Sequence, residues 1–245
     1  MRRADTLVLC YHAVGDVAAG AFVSARLFEQ QLTLLVERGY RSATFSEAVL
    51  GPSTGSRVAV TFDDGHESVL TEALPILERL GLVGTVFPRL DDDGTARLET
   101  RDLRRLLDAG WEVGSHSLTH PSLPTLDDET LMMELRESKR RLESELGIRC
   151  TSLSYPYGAA DARVVAATDR AGYDAAAALL GVPMRPGRLA WPRVGIDGRD
   201  GPFAFRVRVS RPMRALQRSY AGAAIRGVLH AGAVVERALR ASNSR

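Results

Sequence analysis

Apolar runs of strand length alternate along the chain with amphipathic stretches of helical period. Residues 6–11, Thr-Leu-Val-Leu-Cys-Tyr, read as a buried strand. Residues 24–38 read as a helix, with Leu27, Phe28, Gln31, Leu34 and Leu35 on one face and Gly39 as its stop. The pattern repeats: strands are expected at 57–62, 83–87, 111–114, 151–155, 173–178 and 189–196. Helices are expected at 67–80, 100–109, 127–146 and 160–171, the first three closed by Gly81, Gly110 and Gly147. Residues 51–56 and 91–94 read as turn-rich loops. Such alternation predicts parallel strands joined by crossover helices, and 245 residues suit a single α/β barrel. There is no internal repeat and no long linker.

The chemistry collects where strands end. His12, Asp63, Asp64, His116 and Tyr157 all lie just past a predicted strand. In a barrel of parallel strands those ends share one face. Asp63 and Asp64 are two adjacent carboxylates, which repel each other and resist burial. Consecutive strand residues face opposite ways, so both serve one site only if the chain bends there, and Gly65 permits a bend. An exposed Asp-Gly turn would carry the same letters. His116 and His120 fall in a loop-like segment closed by Pro121, and with one carboxylate they make a three-ligand site with open positions. In Pro156-Tyr157-Gly158 the proline lacks a donor and the glycine allows close approach, so the Tyr157 N–H is free to serve as an oxyanion donor. Taken singly, the two histidines are also compatible with satisfied or exposed side chains, and Pro-Tyr-Gly with an ordinary turn.

Taken together and in this order, they resemble the polysaccharide deacetylases, the NodB-homology domains or family-four carbohydrate esterases. That family's first motif, Thr-Phe-Asp-Asp-Gly, stands intact at 61–65. Its second, His-Ser/Thr-x-x-His, is matched by His116, Ser117 and His120, and its third by Pro156-Tyr157-Gly158. The likeness spans roughly residues 6–200. It implies a distorted, incomplete (β/α) barrel of about seven strands. It also implies that Asp63 is the general base for a metal-bound water, and that Asp64, His116 and His120 hold a divalent metal. That metal is usually zinc, with nickel, cobalt or manganese as alternatives. The Tyr157 N–H would meet the oxyanion, and Pro156, Trp191 and His66 would line the substrate groove. The implied reaction is hydrolysis of N-acetyl groups from an amino-sugar polysaccharide or its precursor, with acetate released.

Two departures need replacements. Many members carry an arginine just before the third motif, where this chain has Leu153 and Ser154; Arg193 is the candidate substitute. The family's final Leu-His motif supplies a general acid. Residues 227–230 imitate it within a helical-looking tail, but residues 7–12, ending in Tyr11-His12, match better. A closed ring of strands has no privileged start, so His12 is assigned as the acid and the barrel as circularly permuted. Members acting on poly-N-acetylglucosamine share this Tyr-His and the Tyr-Pro-Tyr-Gly sequence, which points to an exopolysaccharide.

Composition narrows the partners. A net charge of +2 gives no reason to expect nucleic acid. The charge is uneven, however: nine arginines and one acidic residue lie beyond residue 205. Residues 1–205 are expected to form the catalytic domain and 206–245 a basic helical extension, packed on the barrel or lying on an anionic membrane. Cys10 and Cys150 read as buried core residues. No signal peptide or membrane span is apparent, so the expected location is cytoplasmic, with peripheral membrane contact through the tail. Three rival functions use the same residues: an amidase for a non-carbohydrate amide or imide, a non-catalytic glycan-binding domain, and a glycosidase using the aspartate pair. Adjacent aspartates hardly span the roughly 5 Å or more that glycosidase carboxylates need.

Overall fold

The computed structural model describes residues 5–15, 22–52, 54–91, 97–179 and 186–218. Ten strands appear among them: β1 (Asp5–Tyr11), β2 (Ala13–Val14), β3 (Phe22–Val23), β4 (Arg41–Ser42), β5 (Ser56–Asp64), β6 (Gly84–Pro88), β7 (Glu112–Val113), β8 (Ser152–Ser154), β9 (Ala175–Leu179) and β10 (Trp191–Gly195). The helices are α1 (Ala25–Glu37), α2 (Phe45–Leu50), α3 (Leu74–Arg79), α4 (Thr100–Asp108), α5 (Asp128–Leu146), α6 (Ala162–Arg170), α7 (Pro202–Arg208) and α8 (Arg211–Arg218). Seven parallel strands run in the order β7-β6-β5-β1-β10-β9-β8. Ser115 nearly closes the ring, since its N–H donates to Ser152 O at 2.9 Å and its carbonyl accepts from Ser154 N at 2.8 Å. The α/β barrel expected from the sequence is therefore present. The first strand of the chain, β1, sits between β5 and the last strand, β10.

Side-chain alternation sorts each strand into two faces. Leu7, Leu9 and Tyr11 of β1, with Val58, Val60 and Phe62 of β5, join the large core under the helices. They pack there with Phe28, Leu32 and Leu35 of α1. The opposite parity faces into the barrel, where Val8, Ala59, Phe87, Ala175 and Ala177 form a second, smaller core. Cys10, His12, Thr61 and Asp63 share that parity. Because Tyr11 pairs with Phe62, β1 delivers His12 beside Asp63.

Helix α2, too short to show a helical period, is absent from the sequence-based elements. It opens with a capping box between Thr44 and Glu47 and plugs the end of the barrel where the strands begin. Phe45 packs on Phe87, its N–H donates to Thr85 Oγ1 at 2.8 Å, and Ser46 binds the Glu112 carboxylate through its N–H and hydroxyl. With that end sealed, the strand C-termini are the open face.

The domain boundary expected at 205/206 falls inside α7. Helix α8 docks on the start of β1: buried Arg214 donates to Asp5 Oδ2 and to Val209 O, and Arg211 lies 3.3 Å from Asp5. The remainder of the basic tail, His230 included, lies outside the described residues, as do Asp92 and Asp93. No helix among the described residues is long and apolar enough to cross a membrane.

Candidate active site and metal centre

Asp63 and Asp64 reach one site through a backbone turn that begins one residue earlier than the sequence implied. Asp64 itself takes a left-handed conformation, φ 66°, followed by Gly65 at φ 69°. This rotates Asp64 out of strand alternation and sends its carboxylate to the open face with Asp63. A side chain at Gly65 would place Cβ 2.9 Å from Pro88 Cβ, so glycine is required there for space as well as conformation. The turn is tied from outside: Arg97 Nη1 donates to Asp64 O at 2.9 Å and Leu98 N to Gly65 O at 2.8 Å.

Asp64 meets the two histidines. Its Oδ1 lies 3.7 Å from His116 Nε2 and 3.5 Å from His120 Nε2, and the two ring nitrogens are 3.2 Å apart. That Oδ1 is buried and has no hydrogen-bond partner among the described residues. His116 Nδ1 is 2.8 Å from Ser154 O, to which it donates, leaving Nε2 with its lone pair toward the cluster. Burial, opposed by Asp63 and Asp64, lowers the His116 pKa. Burial and the neighbouring His116 take His120 down to about 4. Both rings are therefore neutral near pH 7. Two neutral imidazole nitrogens and an orphaned carboxylate oxygen, all within 4.8 Å of one another, fit a divalent cation of the zinc type.

Asp63 is held differently. Arg193 is fully buried and forks onto it, with Nη1 2.7 Å from Oδ1 and Nη2 2.7 Å from Oδ2. The same guanidinium donates to Thr61 Oγ1 at 3.0 Å and to Ser154 Oγ at 2.8 Å. Arg193 thus also reaches Ser154, one of the two residues standing where the sequence resemblance called for an arginine. Burial alone would raise the Asp63 carboxyl; the Arg193 charge outweighs it and holds the group well below the usual carboxylate range. Cys10 Sγ donates to Asp63 Oδ2 at 3.4 Å, and burial pushes its thiol far up, so it stays an S–H donor. A His12 ring nitrogen lies within 4.8 Å of both Cys10 Sγ and an Asp63 oxygen. Cys10 is the contact that sequence reasoning assigned to the core; its spacing of two from His12, on one strand face, was the available signal.

Tyr157 is left-handed, φ 59° and ψ 8°, between buried Pro156 and Gly158. The residue is 53% exposed, and its ring stands edge-on to His120, centroids 4.8 Å apart, on the open face. His66 sits beside the first motif but turns Nδ1 to Ser68 Oγ at 2.9 Å and packs on Phe22. Trp191 is not with these residues. It lies two positions before Arg193, against the inner core around Val8, Ala59 and Phe45 near the plugged end.

Residues 51–176 match the family model for polysaccharide deacetylase. The chain belongs to the polysaccharide deacetylase family. Membership makes it a hydrolase of the N-deacetylase class. YxkH of Bacillus subtilis, whose name places it in the same family, is 27% identical over 84% of this chain and 72% of its own length. A chitin deacetylase from Pestalotiopsis is 28% identical over 63% of this chain and 49% of its own. The Listeria monocytogenes peptidoglycan-N-acetylglucosamine deacetylase PgdA is 31% identical over 45% of this chain, but the match spans only 23% of PgdA. Among solved structures, the Bacillus cereus polysaccharide deacetylase BC0361 superposes with TM-score 0.73 at 28% identity, covering 83% of this chain and 68% of BC0361. The Streptococcus pyogenes deacetylase PplD, solved with acetate, shares the fold with TM-score 0.75 at 22% identity, over 85% of this chain and 99% of PplD.

Proposed function

We propose that this deacetylase removes N-acetyl groups from an amino-sugar polysaccharide or its precursor, with a divalent metal at Asp64, His116 and His120 and Asp63 as general base. One observation carries the reading. Two adjacent carboxylates have separate environments, Asp63 clamped by a buried arginine and Asp64 left with a bare oxygen facing two neutral imidazoles. Paired groups set apart in this way divide their roles. A divalent cation held by that donor set would polarise the acetyl carbonyl and make water more acidic, the help that a carboxylate held this low needs.

The residues of the chain supply the remaining chemistry. Asp63, ionised across the working pH range, orients water on the open face and takes its proton as the oxygen adds to the acetyl carbon. Arg193 fixes the carboxylate plane through two parallel bonds, which a lysine could not do. The Tyr157 amide, set by its left-handed turn, is the donor assigned to the developing oxyanion. His12, beside Asp63, gives its proton to the amine nitrogen as the C–N bond breaks, and acetate leaves. The exposed Tyr157 ring offers a face for a sugar. His66 and Pro156 border the groove, and Trp191 is given no part in it.

The names of relatives that act on chitin and peptidoglycan support a glycan of N-acetylated amino sugars. The testing experiment is acetate release from N-acetylglucosamine oligomers of defined length, from chitin and peptidoglycan fragments, and from a non-carbohydrate amide. Each is run with chelator and then with zinc restored. Release from a glycan that stops with chelator and returns with zinc is expected. Turnover confined to the non-carbohydrate amide would move the reading to the amidase alternative.

A further inference from the structure

One buried carboxylate plays no part in the reaction just described. Glu134 lies on the inward stripe of α5 with Leu131, Leu135, Ser138 and Leu142, and only 2% of it is exposed. Among the described residues no cation pairs with it. Burial of a carboxylate is tolerated when hydrogen bonds replace its hydration, and three converge here. Oε2 accepts from the N–H groups of Leu118 at 2.8 Å and Thr119 at 2.9 Å, and Oε1 accepts from Thr119 Oγ1 at 2.6 Å. All three donors belong to the segment between His116 and His120. That segment is strained, with Ser117 left-handed at φ 64° and His120 at φ 59°. One turn along α5, Ser138 Oγ accepts from Ser115 Oγ at 2.9 Å, fixing the residue before His116.

We infer that Glu134 is a positioning residue of the metal centre: its carboxylate holds the 117–120 turn in the shape that brings His120 back onto His116 and Asp64. This rests on the metal reading of those three residues. His116 and His120 are four residues apart in a non-helical loop, so neither helix nor strand geometry aligns them. Each left-handed residue costs about 1–3 kcal/mol, and the loop keeps them because its amides are fixed from within and from outside. Ser117 Oγ, accepting from His120 N at 3.1 Å, is the internal brace; Glu134 is the external one. Residues that orient metal ligands from behind typically change metal affinity by about 10–100-fold when removed.

The test uses the full chain, stripped by chelator and titrated with zinc against a fluorescent competitor, with the melting temperature of the metal-free protein measured in parallel. Glu134→Ala is expected to weaken zinc binding by about 10–100-fold. Glu134→Gln should stay within about threefold, because its carbonyl can take both N–H groups and its NH2 can face the Thr119 hydroxyl once that turns to accept. An Ala variant that folds and binds zinc like the parent overturns the inference, as does a Gln variant that falls as far as Ala. Should the Ala variant not fold, Glu134→Asp decides: its carboxylate, one methylene shorter, is withdrawn from the three donors, so about tenfold weaker zinc binding supports the brace and binding within about threefold of the parent overturns it. Failure of the unmutated chain to bind any divalent ion brings down the metal reading and this inference with it. Normal parent binding beside an unaffected Ala variant brings down the inference alone.

Discussion

Arg193→Met probes the Asp63 clamp most directly. The substitution keeps most of the side-chain volume but removes both donors from an aspartate side chain only 6% exposed. Oδ1 then loses its partner among the described residues and Oδ2 keeps only the Cys10 thiol. Breaking one side of a buried pair costs about 3–5 kcal/mol, because the remaining charge stays buried without compensation. For a chain of this size each kcal/mol is about 2–4 °C, so the melting temperature should fall by roughly 6–20 °C. Asp63→Asn is destabilising for the converse reason: its amide can accept from one N–H but turns a donor toward the other. The double variant removes the conflict, so its loss should be smaller than the sum of the single losses by about 1–3 kcal/mol. The assay is urea or thermal unfolding of all four proteins in excess chelator, so that metal binding does not enter. Arg193→Lys adds a functional readout: it keeps the charge but not the fork, and kcat for acetate release should fall by about 100-fold. Strict additivity in the cycle, or a Met variant within about 1 kcal/mol of the parent, refutes the clamp.

Further outcomes are expected. Asp64→Ala and His116→Ala should abolish zinc retention after dialysis and with it turnover, whereas Asp63→Asn keeps zinc and loses turnover; elemental analysis beside acetate release separates them. Gly65→Ala should cost about 2 kcal/mol or more, from the left-handed strain together with the 2.9 Å approach to Pro88, as read by chemical denaturation. Asp5 is pulled toward a higher pKa by burial, but the hydrogen bonds from Arg214 and Tyr40 win and its carboxyl sits below the ordinary value. Its contribution is therefore present above the unfolded pKa and lost as pH falls through the folded one. The penalty for Arg214→Ala should accordingly be full near pH 7 and shrink below roughly pH 4; a pH-independent penalty contradicts the assignment. Burial pushes the Cys150 thiol up to about 12 and Cys10 higher still, so neither should react with a disulfide reagent until denaturant is added.

The order of the seven barrel strands and their helices was legible because most of those strands carry apolar runs and most helices end at a glycine, whereas the two-residue strands β2, β3 and β4 are too short to show a pattern. Most boundaries moved by one or two residues, as at β7, where pairing covers only Glu112 and Val113 of the expected 111–114; the helix expected from 67 opens with a π-helical turn, Val69–Ala73, and becomes α-helical only at Leu74. Helix α2 was not legible: six residues are less than two turns, and its signal is a capping box rather than a period. In the site, Asp63, Asp64, His116 and His120 stood out because adjacent carboxylates and closely spaced histidines are costly without a purpose. Cys10 and Glu134 did not. A cysteine in an apolar strand and a glutamate in a charged helix look ordinary until the parity of the strand and the face of the helix are known. Trp191 was attractive as an apolar wall only while its height in the barrel was unknown. The register of β10 settles that height, setting the indole near the plugged end while the long Arg193 side chain climbs to Asp63.

Strain ties these residues together. Four non-glycine residues among those described have positive φ: Asp64, Ser117, His120 and Tyr157. All four belong to the three motif segments. Each such conformation costs about 1–3 kcal/mol and persists only where surrounding structure over-determines it. The determinants are separate for each segment. Arg97 and the Leu98 N–H bond to Gly65 O hold Asp64, Glu134 and Ser117 Oγ hold the histidine loop, and Tyr157 is bracketed by Pro156 and by Gly158 N donating to Tyr155 O at 2.8 Å. A barrel whose strands simply ran out into relaxed turns would send Asp64 to the wrong face and part the two histidines. The strain is thus the means by which three strand ends converge on one point. It follows that relieving it in the Asp64 or the histidine segment should loosen zinc binding, whereas relieving it at Tyr157, which no metal ligand adjoins in sequence, should lower turnover with zinc retained.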